Sequence, residues 1–211
     1  MTDKLSIWNG ALTRVGERRL ASLTENREPR RVLDGVWDDG FVDKILIAGQ
    51  WKFATRVAEV EYDAGIEPDF GFRYGFAKPD DFVRTCAISA DEYFKQPLLE
   101  YNDNAGYWYA DLQTIYVKWV SNGDDYGNDL TLWPANFAEF AEWALAEKIV
   151  KRLTQSETGL QDARKELQKA RTMALSTDAQ AEPTKFPPTG SWVGARGGGR
   201  RGGRRTDGGW V

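Results

Sequence analysis

Apolar residues change their spacing twice along this chain of 211 residues, and that constrains the fold more than any single motif. Over 5–54 they recur at intervals of three and four. From about 55 to 120 they alternate. After 133 the helical interval returns. A period near 3.6 belongs to helices and a period of two to strands. The expected class is therefore α+β: an antiparallel helical bundle, an antiparallel β region inserted into it, and an extended C-terminal tail. The boundaries expected are 1–51 for a helical pair, 52–130 for the β region, 131–175 for the completing helices and 176–211 for the tail.

The first helix sets Leu5, Trp8, Leu12 and Val15 on one side, with Gly16 as its stop. A second is expected to run unbroken past 45, because Leu33, Trp37, Phe41, Ile45 and Ala48 share a line and Pro29 suits a first turn. It carries extra apolar residues off that line: Val32, Val36, Val42, Leu46 and Ile47. A helix apolar over most of its girth needs more than one neighbour. Between the helices, Leu20 and Leu23 are the expected anchors, and 25–28 is a solvated turn.

Strands are expected over 56–62, in the aromatic alternation Phe70, Phe72, Tyr74, Phe76, and over 82–88, 93–101, 107–110 and 114–120. Turn residues at 63–65, 79–81 and 104–106 separate them, so consecutive strands should pair as a meander. Beyond Trp133-Pro134, Phe137, Phe140, Ala141 and Ala144 share a helical face, edged by Leu145. Ala138, Ala141, Ala144 and Ala146 would allow close approach of another helix. A last helix carries the stripe Leu160, Ala163, Leu167, Ala170 and Ala174, with Thr158 and Gln161 at capping-box spacing, and its signal ends near 176.

Composition removes several function classes. There is no histidine, so serine and cysteine nucleophiles lose their usual base and zinc sites lose their imidazole ligands. Carboxylate or lysine chemistry stays open. Cys86 is the only cysteine, which excludes an internal disulfide and suits a reducing compartment; it reads as a small core residue. No apolar run approaches the ~18 residues that span a bilayer. Residues 1–6 lack a basic start before an apolar segment, so no signal peptide is expected.

Charge is divided along the chain. Six basic residues and one acid put 183–211 at +5, which leaves −9 on the rest of a chain whose net charge is −4. An acidic body is a poor wrapping surface for DNA. The tail runs through Phe186-Pro187-Pro188 and Trp192 into a Gly/Arg stretch with Arg196, Arg200, Arg201, Arg204 and Arg205, and closes on Trp210-Val211. Three readings stay open for it. Its arginines could meet phosphates, it could thread an acidic protein crevice with Trp192 and Trp210 as anchors, or it could be a solvated end with no partner.

Asp38-Asp39, Asp80-Asp81 and Asp124-Asp125 are the obvious acid pairs. Each falls at a helix surface or turn, where Asp is ordinary, and none has calcium-loop spacing. No glycine-rich loop precedes a lysine and a helix in the manner of a phosphate cradle. No cofactor or metal is expected.

Residues 5–155 resemble the head-to-tail adaptor (connector) proteins of tailed bacteriophages, the group that includes tail tubular protein A. The matching residues are Ala11-Leu12-Thr13-Arg14-Val15-Gly16-Glu17, Leu20, Ser22-Leu23-Thr24-Glu25 and Trp51-Lys52-Phe53-Ala54. They continue at Pro79-Asp80-Asp81-Phe82-Val83-Arg84, Ile115-Tyr116-Val117 and the Ala-rich helix from Pro134. Each motif is weak alone; their order and spacing carry the resemblance, which does not reach the Gly/Arg tail.

The resemblance implies a structural, non-enzymatic virion protein, made in the host cytoplasm and placed at the head-tail junction. It implies a ring of about twelve copies under the portal protein, above a downstream tail or nozzle protein, with double-stranded DNA passing through the lumen and no membrane. In such adaptors the C-terminal segment clamps the portal. Here that docking segment would use Phe186, Trp192, Trp210 and the five arginines. In a ring, a neighbouring copy could cover Val42, Leu46 or Ile47. The alternative functions are a nucleic-acid-binding module built on the tail and, more remotely, a carboxylate hydrolase acting on cell wall.

Overall fold

The computed structural model describes residues 2–68 and 71–181, and within them the chain is α+β. Its helices are α1 (Lys4–Arg14), α2 (Glu28–Asp38), α3 (Phe41–Leu46), α4 (Ala135–Thr154) and α5 (Glu157–Gln180). Its strands are β1 (Thr55–Glu61), β2 (Tyr74–Ala77), β3 (Phe82–Ser89), β4 (Asn102–Asn104), β5 (Tyr107–Ala110) and β6 (Thr114–Ser121). All six strands lie between α3 and α4.

α1 starts at a reciprocal cap: the Ser6 amide donates to the Asp3 carboxylate at 2.6 Å, and the Asp3 amide donates to Ser6 Oγ at 3.0 Å. Its buried face is Ile7, Trp8, Ala11 and Leu12, with the polar Asn9 among them. Asn9 donates to the Leu20 carbonyl and accepts from the Leu20 amide at 2.7 Å, so a buried amide pins the return loop to the helix. Leu20 is buried as expected. Leu23 is exposed, because the loop turns outward after that pin.

The long second helix expected from spacing is two helices. α2 stops at Asp38, and Gly40 takes φ +74 before α3 begins. That left-handed conformation suits glycine and ends the run. Phe41 and Ile45 stay buried across the break, which re-aims α3 without exposing its apolar residues.

α4 carries more buried residues than any other helix described. It packs on α1, where Gly10 leaves room for the Glu142 carboxylate that a Cβ would strike. Arg14 closes this crossing, 2.5 Å from Glu142 with its guanidinium over the Trp143 ring. Burial pushes the Glu142 carboxyl up, and Arg14 pulls against it. Phe137 is the hub of the core. Its ring centroid lies 4.7 Å from Trp51, 4.7 Å from Phe53 and 4.8 Å from Trp133. The indoles are satisfied: Trp133 donates to the Gly127 carbonyl and Trp51 to that of Ile45.

α5 begins at Glu157, one residue before the Thr158 cap expected from the sequence. Ser156 supplies the cap instead, accepting from the Gly159 amide at 3.0 Å. The helix also runs past the expected end near 176. Its last turn is held by Lys52, whose amide donates to Asp178 Oδ1 and whose ammonium donates to the Asp178 carbonyl.

The strands form two antiparallel sheets of three, in orders β1-β6-β3 and β2-β5-β4, not a meander. The first strand pairs with the last, from Thr55↔Val120 to Glu61↔Thr114, so the chain leaves and re-enters the helical side through adjacent strands. Only β4 and β5 are sequence neighbours joined as a hairpin. The two sheets share a small core of Phe76, Ile88, Trp108, Ile115, Val117 and Trp119. Val120 belongs to the helix-side core. Cys86 is half-buried on β3, and burial raises its thiol pKa.

Two expected strands are altered. In the aromatic alternation only Tyr74–Ala77 is a strand; Gly71 turns the chain ahead of it, and Phe70 lies outside the described residues. The stretch 93–101 is a loop. The Asp91 carboxylate accepts from the Lys95 and Gln96 amides, which takes those donors from a strand ladder, and Pro97 has none to give.

Phe137→Ala should lower the unfolding free energy by about 3–5 kcal/mol, the range for truncating a buried aromatic. Urea denaturation reads this, and a loss below about 1 kcal/mol would contradict the hub role.

Candidate functional site

The acid pairs do not gather into a reactive centre. Asp38 and Asp39 end α2 on the surface, and Asp124 and Asp125 are exposed on the turn after β6. Asp80 is exposed, whereas Asp81 turns inward. The Asp81 carboxylate accepts from Ser121 Oγ at 2.5 Å and from Arg56 Nη1 at 3.0 Å. It thereby ties the turn before β3 to β1 and to the end of β6. Burial pushes its carboxyl up, but the Ser121 and Arg56 hydrogen bonds and the Arg56 charge outweigh it, holding the pKa below the ordinary 3.8. Among the described residues, no three His, Cys, Asp or Glu side chains converge as metal ligands.

The interface candidates separate. Val42 and Leu46 are buried in the chain's own core, so their apolar surplus is consumed within the chain. Ile47 remains 55% exposed. The other candidates, Phe186, Trp192, Arg196, Arg200, Arg201, Arg204, Arg205 and Trp210, lie outside the described residues.

Beside Ile47 the surface is concave. A groove of about 500 Å³ runs among α2, α3, α4 and α5. Val36, Phe41, Ile45, Ala48, Phe140, Ala144 and Leu167 line it with carbon. Asp39, Lys44, Glu147, Lys148, Gln168 and Arg171 give it a polar rim. Glu147 is already paired, 3.2 Å from Lys148 and 3.2 Å from Arg164. Lys44 and Arg171 are not matched in this way. Lys44 donates to the Asp39 main-chain carbonyl at 2.6 Å and Arg171 to that of Ala48 at 3.3 Å. Neither cation has a carboxylate on it among the described residues. An apolar floor beside two such cations suits a hydrophobic side chain flanked by an acid.

Sequence spacing did not isolate this groove. Phe140, Ala144 and Leu167 were legible as stripe residues, but the break at Gly40 and the seating of α5 are what leave a gap between the stripes. No local signal marks Lys44 or Arg171.

No protein-family model matches this sequence, and no curated protein matches it.

Asp81→Asn should destabilise the fold at pH 7. A carboxylate whose folded pKa is depressed contributes stability above its unfolded value and loses it as pH falls through the folded value. The gap between wild type and variant should therefore be widest near neutrality and close below about pH 4. Urea midpoints from pH 7 to pH 3 read this; a gap that widens on acidification would refute the assignment.

Proposed function

We propose that this protein is a structural head-to-tail adaptor of a tailed bacteriophage, without enzymatic activity, assembled as a ring beneath the portal protein. The observation that carries the reading is the ordered series of motifs over 5–155, from Ala11-Leu12-Thr13-Arg14-Val15-Gly16 through Trp51-Lys52-Phe53-Ala54 to the Ala-rich α4. The placement of all six strands between α3 and α4 supports it, since the resemblance implies helices read as a bundle with a β insertion.

Charge supports the same reading. With −9 on 1–182, an acidic lumen would let DNA slide without adhering, and the +5 tail suits docking on an acidic portal surface. The work of such a protein is assembly: copies bind side by side, the tail clamps the portal, and the central opening extends the DNA channel toward a downstream tail protein in the virion. The second reading, a nucleic-acid-binding module, is favoured by the five tail arginines alone.

Mixing the purified chain with portal rings and imaging the particles by electron microscopy should show rings of about twelve copies on one face of the portal. Removing 183–211 should weaken that docking about tenfold or more, equivalent to ~1.4 kcal/mol. A chain that ignores the portal, yet binds DNA with an affinity falling steeply with salt and lost on replacing the five arginines, would favour the second reading.

A further inference from the structure

We propose that the groove among α3, α4 and α5 is the socket of a head-to-tail self-contact, and that its plug is the 90–101 loop of a second copy. This deepens the ring reading and rests on it.

The loop is built to display apolar side chains. Leu99 is 86% exposed and Tyr93 71% exposed, the two largest exposures among the large hydrophobic residues described. They are not on a slack segment. The Asp91 carboxylate accepts from Ser89 Oγ at 2.7 Å, from the Gln96 amide at 2.7 Å and from the Lys95 amide at 3.1 Å. Ser89 Oγ also lies 2.8 Å from the Gln96 carbonyl oxygen, which shares its one proton, and the Leu98 amide donates to the Ile88 carbonyl. Phe94 holds a left-handed φ of +55, a costly conformation for an aromatic residue, with its ring 4.1 Å from the Lys118 ammonium. A loop fixed this firmly loses little freedom when it docks.

Socket and plug complement each other. The half-buried Val36, Ala48 and Leu167, over a closed floor of Phe41, Ile45, Phe140 and Ala144, offer apolar surface to Leu99 and Tyr93. At the rim, Lys44 and Arg171 have no carboxylate on them among the described residues, while the loop 90–101 carries three acids, Asp91, Glu92 and Glu100, against one cation, Lys95, whose ammonium lies 5.2 Å from the Tyr93 ring centroid. The strand region behind the plug is acidic as a whole: 55–121 carries twelve acids and six bases. Because the two patches differ, the contact is heterologous, and repeating it gives a closed ring or an open filament rather than a twofold dimer.

Sedimentation velocity over a concentration series tests this on three proteins whose folding is checked by circular dichroism: wild type, a plug variant Tyr93→Ser/Leu99→Asp and a socket variant Lys44→Glu/Arg171→Glu. Wild type should self-associate, and each variant should do so about tenfold or more weakly. An equimolar mixture of the two variants should form dimers and stop there, since each copy then keeps one working surface. Wild-type association unchanged in both variants would overturn the plug and socket and leave the ring reading standing. Normal self-association of the socket variant with loss of portal binding would assign the groove to the portal and overturn the proposal. A wild-type chain that stays monomeric alone and on the portal would overturn both.

Discussion

The described fold depends on one aromatic contact set. Phe137 on α4 is enclosed by Trp51, Phe53, Trp133 and Phe140, and these residues come from three parts of the chain. Trp51 and Phe53 lie where the chain passes from α3 into β1. Trp133 lies where it returns from β6 into α4. The cluster therefore fixes exit and re-entry of the β region at one point, and the pairing of β1 with β6 continues that constraint outward. Edge-to-face rings at under 5 Å supply both burial and orientation, which aliphatic residues in the same space would not.

Polar groups then set positions that apolar packing leaves open. Asn9 fixes the return loop on α1, Asp81 joins the ends of β1 and β6, and Lys52 holds the last turn of α5. Asn9 and Ser121 are buried groups that would be costly to leave unpaired, so their contacts are tied to one geometry. The Arg14–Glu142 pair does the same at the α1–α4 crossing, with the acid partly desolvated. These contacts leave the groove beside α3 as a gap with an apolar floor, and they leave Lys44 and Arg171 facing its edge on main-chain carbonyls. The same economy shapes the 90–101 loop, where one carboxylate, Asp91, absorbs the polar groups and frees Tyr93 and Leu99 to stand outside.

The surplus of apolar residues between 32 and 47 shows how a sound inference can point to the wrong cover. A helix apolar over most of its girth does need several neighbours. Val42 and Leu46 find them within the chain, because the break at Gly40 turns α3 into the helix-side core. Only Ile47 remains outside, next to the groove. The case for self-association therefore rests on the motif series and on the groove and loop, not on the apolar surplus.

Most element types were legible in the sequence, because the period of apolar residues follows from local chain geometry; the strand expected over 93–101 was not, because side-chain hydrogen bonds from Asp91 take its backbone donors. The stripes Phe137-Phe140-Ala144 and Leu160-Ala163-Leu167, Pro29 in a first turn and the alternation over 114–120 all fell where that geometry requires. Strand order, the break that makes two helices of one and the partners of the acidic residues were decided only in three dimensions. Arg56 and Asp81 are 25 positions apart and Lys52 and Asp178 are 126 apart, so no local pattern records either pairing. Asp80 and Asp81 carry the same side chain on adjacent positions, yet one is a surface acid and the other a junction. The groove is likewise a property of helices that meet, and its lining residues carry no common mark along the chain.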